Sequence, residues 1–256
     1  MVPAAFFDLD RTVMSGASTY WFGKAALKSG FYPRRRLARD AWKAFWFKRV
    51  GASDEQSNAV RDQILNTVAG RTQAGMMSFL PDVLGAILIN VYPEVFRRIL
   101  DHERDGVPTY LVSASPIEIV GPVARALGMS GGALATTAAV DRDGVYTGEL
   151  IGPFCYGPGK VVAIEAEAAR GDLDLARSWA YSDSASDLPM LAAVGNPVAV
   201  NPDRRLRDAA RESEWEILRT EARHGLRTLI AAGVLTGGAG VGVGTAIVLR
   251  RLNRRS

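Results

Sequence analysis

One cysteine, Cys155, stands in 256 residues, so the chain can close no internal disulfide, which suits a reducing compartment. Histidine is nearly as scarce. His102 and His224 have no metal-ligand spacing, and no histidine lies near Cys155 in sequence; the two imidazoles read as structural or surface groups and the thiol as inert. Asp8 arrives before an apolar run long enough for an export signal could form, so the expectation is a chain without one, and a cytoplasmic one. Nor is the body of the protein basic, although the pI is near 9.4. The positive charge is local: seven Lys or Arg face one Asp between 34 and 49, and seven Arg face one Glu between 219 and 256. Residues 1–218 are slightly acidic once the second patch is set aside. Two local patches with apolar neighbours point to a membrane surface and away from a nucleic-acid partner. There is no internal repeat.

What is present is an ordinary globular composition, 48% apolar and 23% charged, in a length that allows a large α/β domain or a core with a smaller insert. Residues 4–12 organise the rest. Ala4-Ala5-Phe6-Phe7 runs into Asp8-Leu9-Asp10-Arg11-Thr12, a short apolar run bounded by charge, as in a strand buried on both faces of a parallel sheet. Side chains at i and i+2 of a strand share a face. On that rule Asp8 and Asp10 leave the C-terminal end of the strand together, where open α/β sheets bind ligands. Two carboxylates repel each other there unless a cation sits between them.

Helical periodicity follows. Residues 18–30 close on Gly30; 34–50 carry Ala38, Trp42, Phe45 and Trp46 among basic residues; 54–68 continue the pattern. The aromatic, basic stretch either packs inside a helical subdomain or faces a membrane. An apolar segment from 76 to 91, broken at Pro81 and Asp82, is too short to cross a bilayer, and Pro93 opens a helix through His102. From 107 strands and helices alternate: a strand ending in Ser113-Ala114-Ser115-Pro116, a helix over 117–127, and a hairpin over 136–150 turning at Asp141–Gly144. Gly157-Pro158-Gly159-Lys160 opens another helix. Trp179–Ser182 is a strand ending in Asp183, with Asp187 beyond it; a short helix spans 188–194, and 197–200 is a last strand. A sheet that starts, is interrupted by helices and resumes implies an inserted helical domain.

These stretches resemble the four motifs of the haloacid-dehalogenase superfamily, in the subgroup (IB) with a helical cap after the first motif, which includes the phosphoserine phosphatases. Phe7 to Val13 resembles the first motif, Leu111 to Ser115 the second, Lys160 fits the third, and Tyr181 to Leu188 the fourth. The resemblance implies a Rossmann-like parallel sheet built from 1–14 and 105–218, with a helical cap over 15–104. It implies Mg²⁺-dependent hydrolysis of a phosphomonoester through an aspartyl-phosphate. Asp8 is then the nucleophile and Asp10 the general acid and base. Asp8, the Asp10 carbonyl and Asp183 hold Mg²⁺, Ser113 and Lys160 bind the phosphate, and Asp187 orients Lys160 or a metal-bound water. Arg11 stands where small residues are frequent in the superfamily, at the expected pocket mouth, and is a candidate contact for an anionic substrate. Thr12 is expected to shape the loop.

Substrate is a separate matter. The phosphoserine phosphatases carry a glutamate shortly after the first motif, and residues 14–21 here contain no acid. Leu229 to Leu249 is 21 residues without charge, flanked by arginines. As a helix it would measure about 31 Å, enough to cross the hydrocarbon core. Its glycines at 233/237, 238/242 and 240/244 suit close helix contact, hence a homodimer through that helix. The expectation is a C-terminal hydrophobic helix, with 225–256 as a single-pass anchor, and a lipid or lysolipid phosphate as substrate. A small soluble ester such as phosphoserine is the first alternative, and a non-catalytic membrane-tethered adaptor the second.

Overall fold

The computed structural model describes residues 1–31, 61–62, 65–66 and 68–221. The expected helix at 34–50, most of that at 54–68, and the hydrophobic stretch 225–256 lie outside the described residues. Among those described, no helix is long and apolar enough to cross a membrane. The C-terminal hydrophobic helix of the expected fold is therefore no part of the architecture below, which ends on an edge strand.

Six parallel strands form the sheet, in the order β3-β2-β1-β6-β7-β8. β1 (Ala5–Asp8) lies inside it, between β2 (Thr109–Pro116) and β6 (Trp179–Ser182). Its apolar residues are fully buried because helices cover both faces. Alternation divides them: Ala5 and Phe7 pack with Ile99 and Val120 on one face, while Ala4 and Phe6 pack with Ile164, Met190 and Leu206 on the other. The first face is covered by α4 (Pro93–Arg104) and α5 (Ile117–Ala126), the second by α6 (Pro158–Gly171), α7 (Leu188–Ala192) and α8 (Arg204–Glu212). The remaining strands are β3 (Gly132–Thr136), β7 (Asn196–Val200) and β8 (Glu216–Leu218).

Between β1 and β2 the described insert contains α1 (Ser18–Lys28), α2 (Gln73–Ser78), α3 (Leu80–Ile89) and α4. The expected apolar segment at 76–91 is two helices, because Pro81 belongs in the first turn of α3, where no backbone donor is needed. Where the chain leaves the sheet and returns, the two passages are tied: Ser15 N donates to Asn90 O (2.8 Å) and Tyr92 N to Val13 O (2.9 Å). A second tie joins the insert to the hairpin of β4 (Ala138–Val140) and β5 (Tyr146–Leu150). Gly70 N donates to Tyr146 O and Tyr146 N to Arg71 O, both at 2.9 Å, and Gln73 N to Gly144 O at 2.8 Å. Beneath it the Tyr146 hydroxyl (2.8 Å) and Gln73 Nε2 (3.1 Å) both donate to Glu118 Oε1.

Three elements were not expected from sequence. β3 reads Gly-Ala-Leu-Ala-Thr, with little β-branching, and β8 is three residues long; both are edge strands whose pairing comes from the sheet. α8 buries only Leu206 and Ala210, too few to print a clear apolar stripe. Asp203 accepts from Leu206 N (2.8 Å) as its N-cap.

Candidate active site

The C-terminal ends of β1, β2 and β6 carry buried polar groups. Asp8 closes β1 on the Phe6 side, the side of α6. Lys160 lies in the first turn of α6, and its Nζ is 2.6 Å from Asp8 Oδ1 and 2.7 Å from Asp187 Oδ2. The tight approach depends on glycine: a Cβ on Gly159 would stand 1.9 Å from the Phe154 carbonyl oxygen, and Gly157 has φ of +51°. Ser182 Oγ donates to the same Asp187 oxygen at 2.7 Å.

Asp183 follows β6. Its main chain is fixed from beyond β7, where Asp203 N donates to Asp183 O (2.8 Å). Thr12 Oγ1 is 3.5 Å from its Oδ1, and Arg11 Nε is 3.0 Å from its Oδ2. Thr12 thus shapes the loop by reaching a residue 171 positions away.

Asp10 lies just past β1, which ends at Asp8; its charge acts on Asp8 and feels Lys160, while its hydrogen bonds go to the insert. Its Oδ1 accepts from Ser18 N (2.6 Å) and its Oδ2 from Ser18 Oγ (3.1 Å). Ala17, the N-cap of α1, has no side chain that could serve, so a carboxylate seven residues upstream does so and faces the positive end of the helix. Ser18 Oγ also lies 2.7 Å from Ser115 Oγ, and Ser115 N donates to Ser113 Oγ at 3.1 Å. A chain of hydroxyls therefore runs from Asp10 to the end of β2. Ser18, Ser115 and Ser182 were not singled out from sequence; serines at a strand end or helix start carry no pattern until the fold brings them together.

Burial governs the charges. It raises the Asp8 carboxyl to about 7 despite the opposing Lys160 ammonium, with Asp187 adding to the rise. Asp183 is pushed up to about 6 by burial, against the pull of Arg11. Asp10 is raised by burial, with the Ser18 hydrogen bonds resisting. For Lys160 burial favours the neutral amine, but Asp8 and Asp187 outweigh it and hold the ammonium charged. Cys155, buried and raised to about 11 by that burial, is an unreactive thiol as expected. His102 is likewise structural, bonded through Nε2 to the Tyr181 hydroxyl at 2.9 Å.

When all four carboxylates are ionised, one lysine and one arginine leave an excess of two negative charges, which a divalent cation matches. Asp187 Oδ1 is buried with no hydrogen-bond partner, the condition of an oxygen waiting for a donor such as a metal-bound water. Among the described residues, no three Asp, Glu, His or Cys side chains close round one point. Two carboxylates with a backbone carbonyl nonetheless fit Mg²⁺, which keeps waters and substrate oxygens as its other ligands.

The family model for haloacid dehalogenase-like hydrolases matches residues 5–192. The chain is 41% identical over 230 residues to a Mycobacterium tuberculosis protein named "Probable phosphatase Rv3661", covering 90% of this chain and 79% of that one. It is 34% identical over 244 residues to phosphoserine phosphatase SerB1 of the same species, covering 93% and 79%. A crystal structure of a protein of unknown function from Bordetella pertussis Tohama I superposes with a TM-score of 0.74 at 27% identity, covering 85% of this chain and 98% of that one. With the family model spanning both sides of the insert, this chain belongs to the haloacid dehalogenase-like hydrolases.

Proposed function

We propose that the protein hydrolyses phosphomonoesters through an aspartyl-phosphate on Asp8, with residues 15–104 as a cap over a core formed by 1–14 and 105–218. The observation that carries this reading is Lys160, buried between Asp8 and Asp187 at the end of the sheet. Mg²⁺ would be held by Asp8, Asp183 and the Asp10 carbonyl, and when bound it neutralises phosphoryl oxygens. Lys160 pairs with a second oxygen, and Ser113 with the backbone N–H groups after β2 takes a third. Asp8 attacks phosphorus in line, the ester bond breaks, and Asp10 gives a proton to the departing alkoxide. Asp10 then removes a proton from the water that cleaves the acyl phosphate, restoring Asp8. Arg11 stands at the mouth to meet a further anionic group of the substrate.

The SerB1 relative supports a small ester such as phosphoserine. A second reading, a lipid or lysolipid phosphate met at a membrane to which 225–256 anchors the chain, as a monomer or a pair, is favoured by the uncharged stretch 229–249. It is also favoured by Tyr20, 62% exposed on α1 beside Trp21, whose ring Lys24 overlies. Phosphate release with Mg²⁺ from phosphoserine and from phosphatidate in detergent micelles separates them. Release from neither, nor from p-nitrophenyl phosphate, would sink the enzyme reading and leave the adaptor.

A further inference from the structure

Asp183 is gripped from two sides by the loop after β1. Its Oδ1 faces Thr12, which is fully buried; its Oδ2 faces Arg11, whose side chain is 61% exposed. Oδ1 is thus the inner oxygen and Oδ2 the outer one. Arg11 also holds a left-handed backbone, φ of +62°, a conformation that costs a side-chain-bearing residue about 1 kcal/mol and that glycine adopts freely. What keeps it there is its N–H bond to Gly16 O (3.1 Å) and the ion pair with Asp183 at 3.0 Å.

We infer that Arg11 is a built-in rival of the divalent cation. It takes one lone pair of the outer oxygen of Asp183 and sets a positive charge beside the site, so it weakens cation binding and raises the concentration at which the site fills. The inference rests on the proposal that Asp183 is a metal ligand. Two effects act in the same direction. A lone pair directed at a guanidinium is not available to an ion, and a positive charge beside the site repels a second one. Releasing Arg11 is inexpensive, since most of its side chain already meets water, and the released guanidinium is left at the mouth of the site.

The test is Mn²⁺ binding to the full-length protein without substrate, followed by loss of the free-ion EPR signal and reversed with Mg²⁺. Arg11→Gln removes the charge and keeps the side-chain bulk; Arg11→Gly removes both and relaxes the backbone. Both should bind about fivefold to tenfold more tightly than wild type, the scale of one partly screened charge, and Arg11→Lys should stay within about twofold. Equal or weaker binding in Arg11→Gln overturns the inference, because relief of the backbone alone would then explain any gain in Arg11→Gly. No coordination in any variant, wild type included, overturns the assignment of Asp8 and Asp183 as ligands, which is a distinct result.

Discussion

β1 and its neighbours change character within four residues. At Phe6 and Phe7 the strand is all contact: Phe7 stacks on Tyr181 with ring centroids 4.2 Å apart, and Phe6 on Tyr110 at 5.3 Å, with both phenylalanines fully buried. At Asp8 the same backbone delivers a carboxylate into a space with little water, beside three others and two cations. The first region gains stability from every group it buries. The second loses it, as the raised Asp8, Asp10 and Asp183 record. Proximity of the two is no accident of packing, since the aromatic layer fixes the strand ends against the repulsion they carry.

Substitutions on either side of this divide should fail in opposite ways. Asp8→Asn should lower phosphate release by on the order of 10³-fold or more, at least ~4 kcal/mol of barrier, while the metal-free protein melts no lower than wild type. A variant that kept its turnover, or that lost activity only by unfolding, would erase the distinction. Phe7→Ala should cost about 3–5 kcal/mol in urea unfolding, with the fraction that remains folded still turning over substrate.

A pH series sharpens the comparison. Carboxyls with a folded pKa above the unfolded one stabilise the fold when protonated, and that contribution is lost as pH rises through the folded value. For Asp8, ordinarily near 3.8 and near 7 in the fold, the loss begins near pH 4 and is complete by about pH 8, with only its last part above pH 6.5; the lowered His102 acts in the opposite sense, and only below its usual value of 6.5. Stability of the metal-free protein should therefore fall across pH 6.5–8 by about 1 kcal/mol, and Asp8→Asn should flatten the curve. Mg²⁺ should restore stability at pH 8 in wild type. The smallest effect belongs to the tie between insert and hairpin. Tyr146→Phe removes one of the two donors to Glu118 Oε1, and should cost about 1 kcal/mol in the same unfolding experiment with turnover little changed.

The sequence carried the sheet interior and the charged strand ends clearly, for a local reason. A buried parallel strand must be apolar throughout, so a carboxylate at its end stands out, as Asp8 and Asp183 do; Lys160 stands out instead by the glycines before it at the start of a helix. What it could not carry was set by tertiary distance. Nothing near Ala17 says that Asp10 will cap its helix, nothing near Thr12 names Asp183, and β3 and β8 are strands only because a neighbour offers them a ladder. Alternation brought Asp10 to the end of β1 with Asp8 but could not name its partner Ser18, which lies in the insert.

One consequence lies in the pairing of residues 70–73 with 144–146. By position the hairpin belongs to the catalytic half of the chain, yet its outer edge is completed by the insert. Trimming the protein to its sheet would strip that edge and uncover Tyr146 and Glu118 together. Insert and hairpin thus form one packing unit, and an exchange of the insert between relatives should carry the hairpin with it.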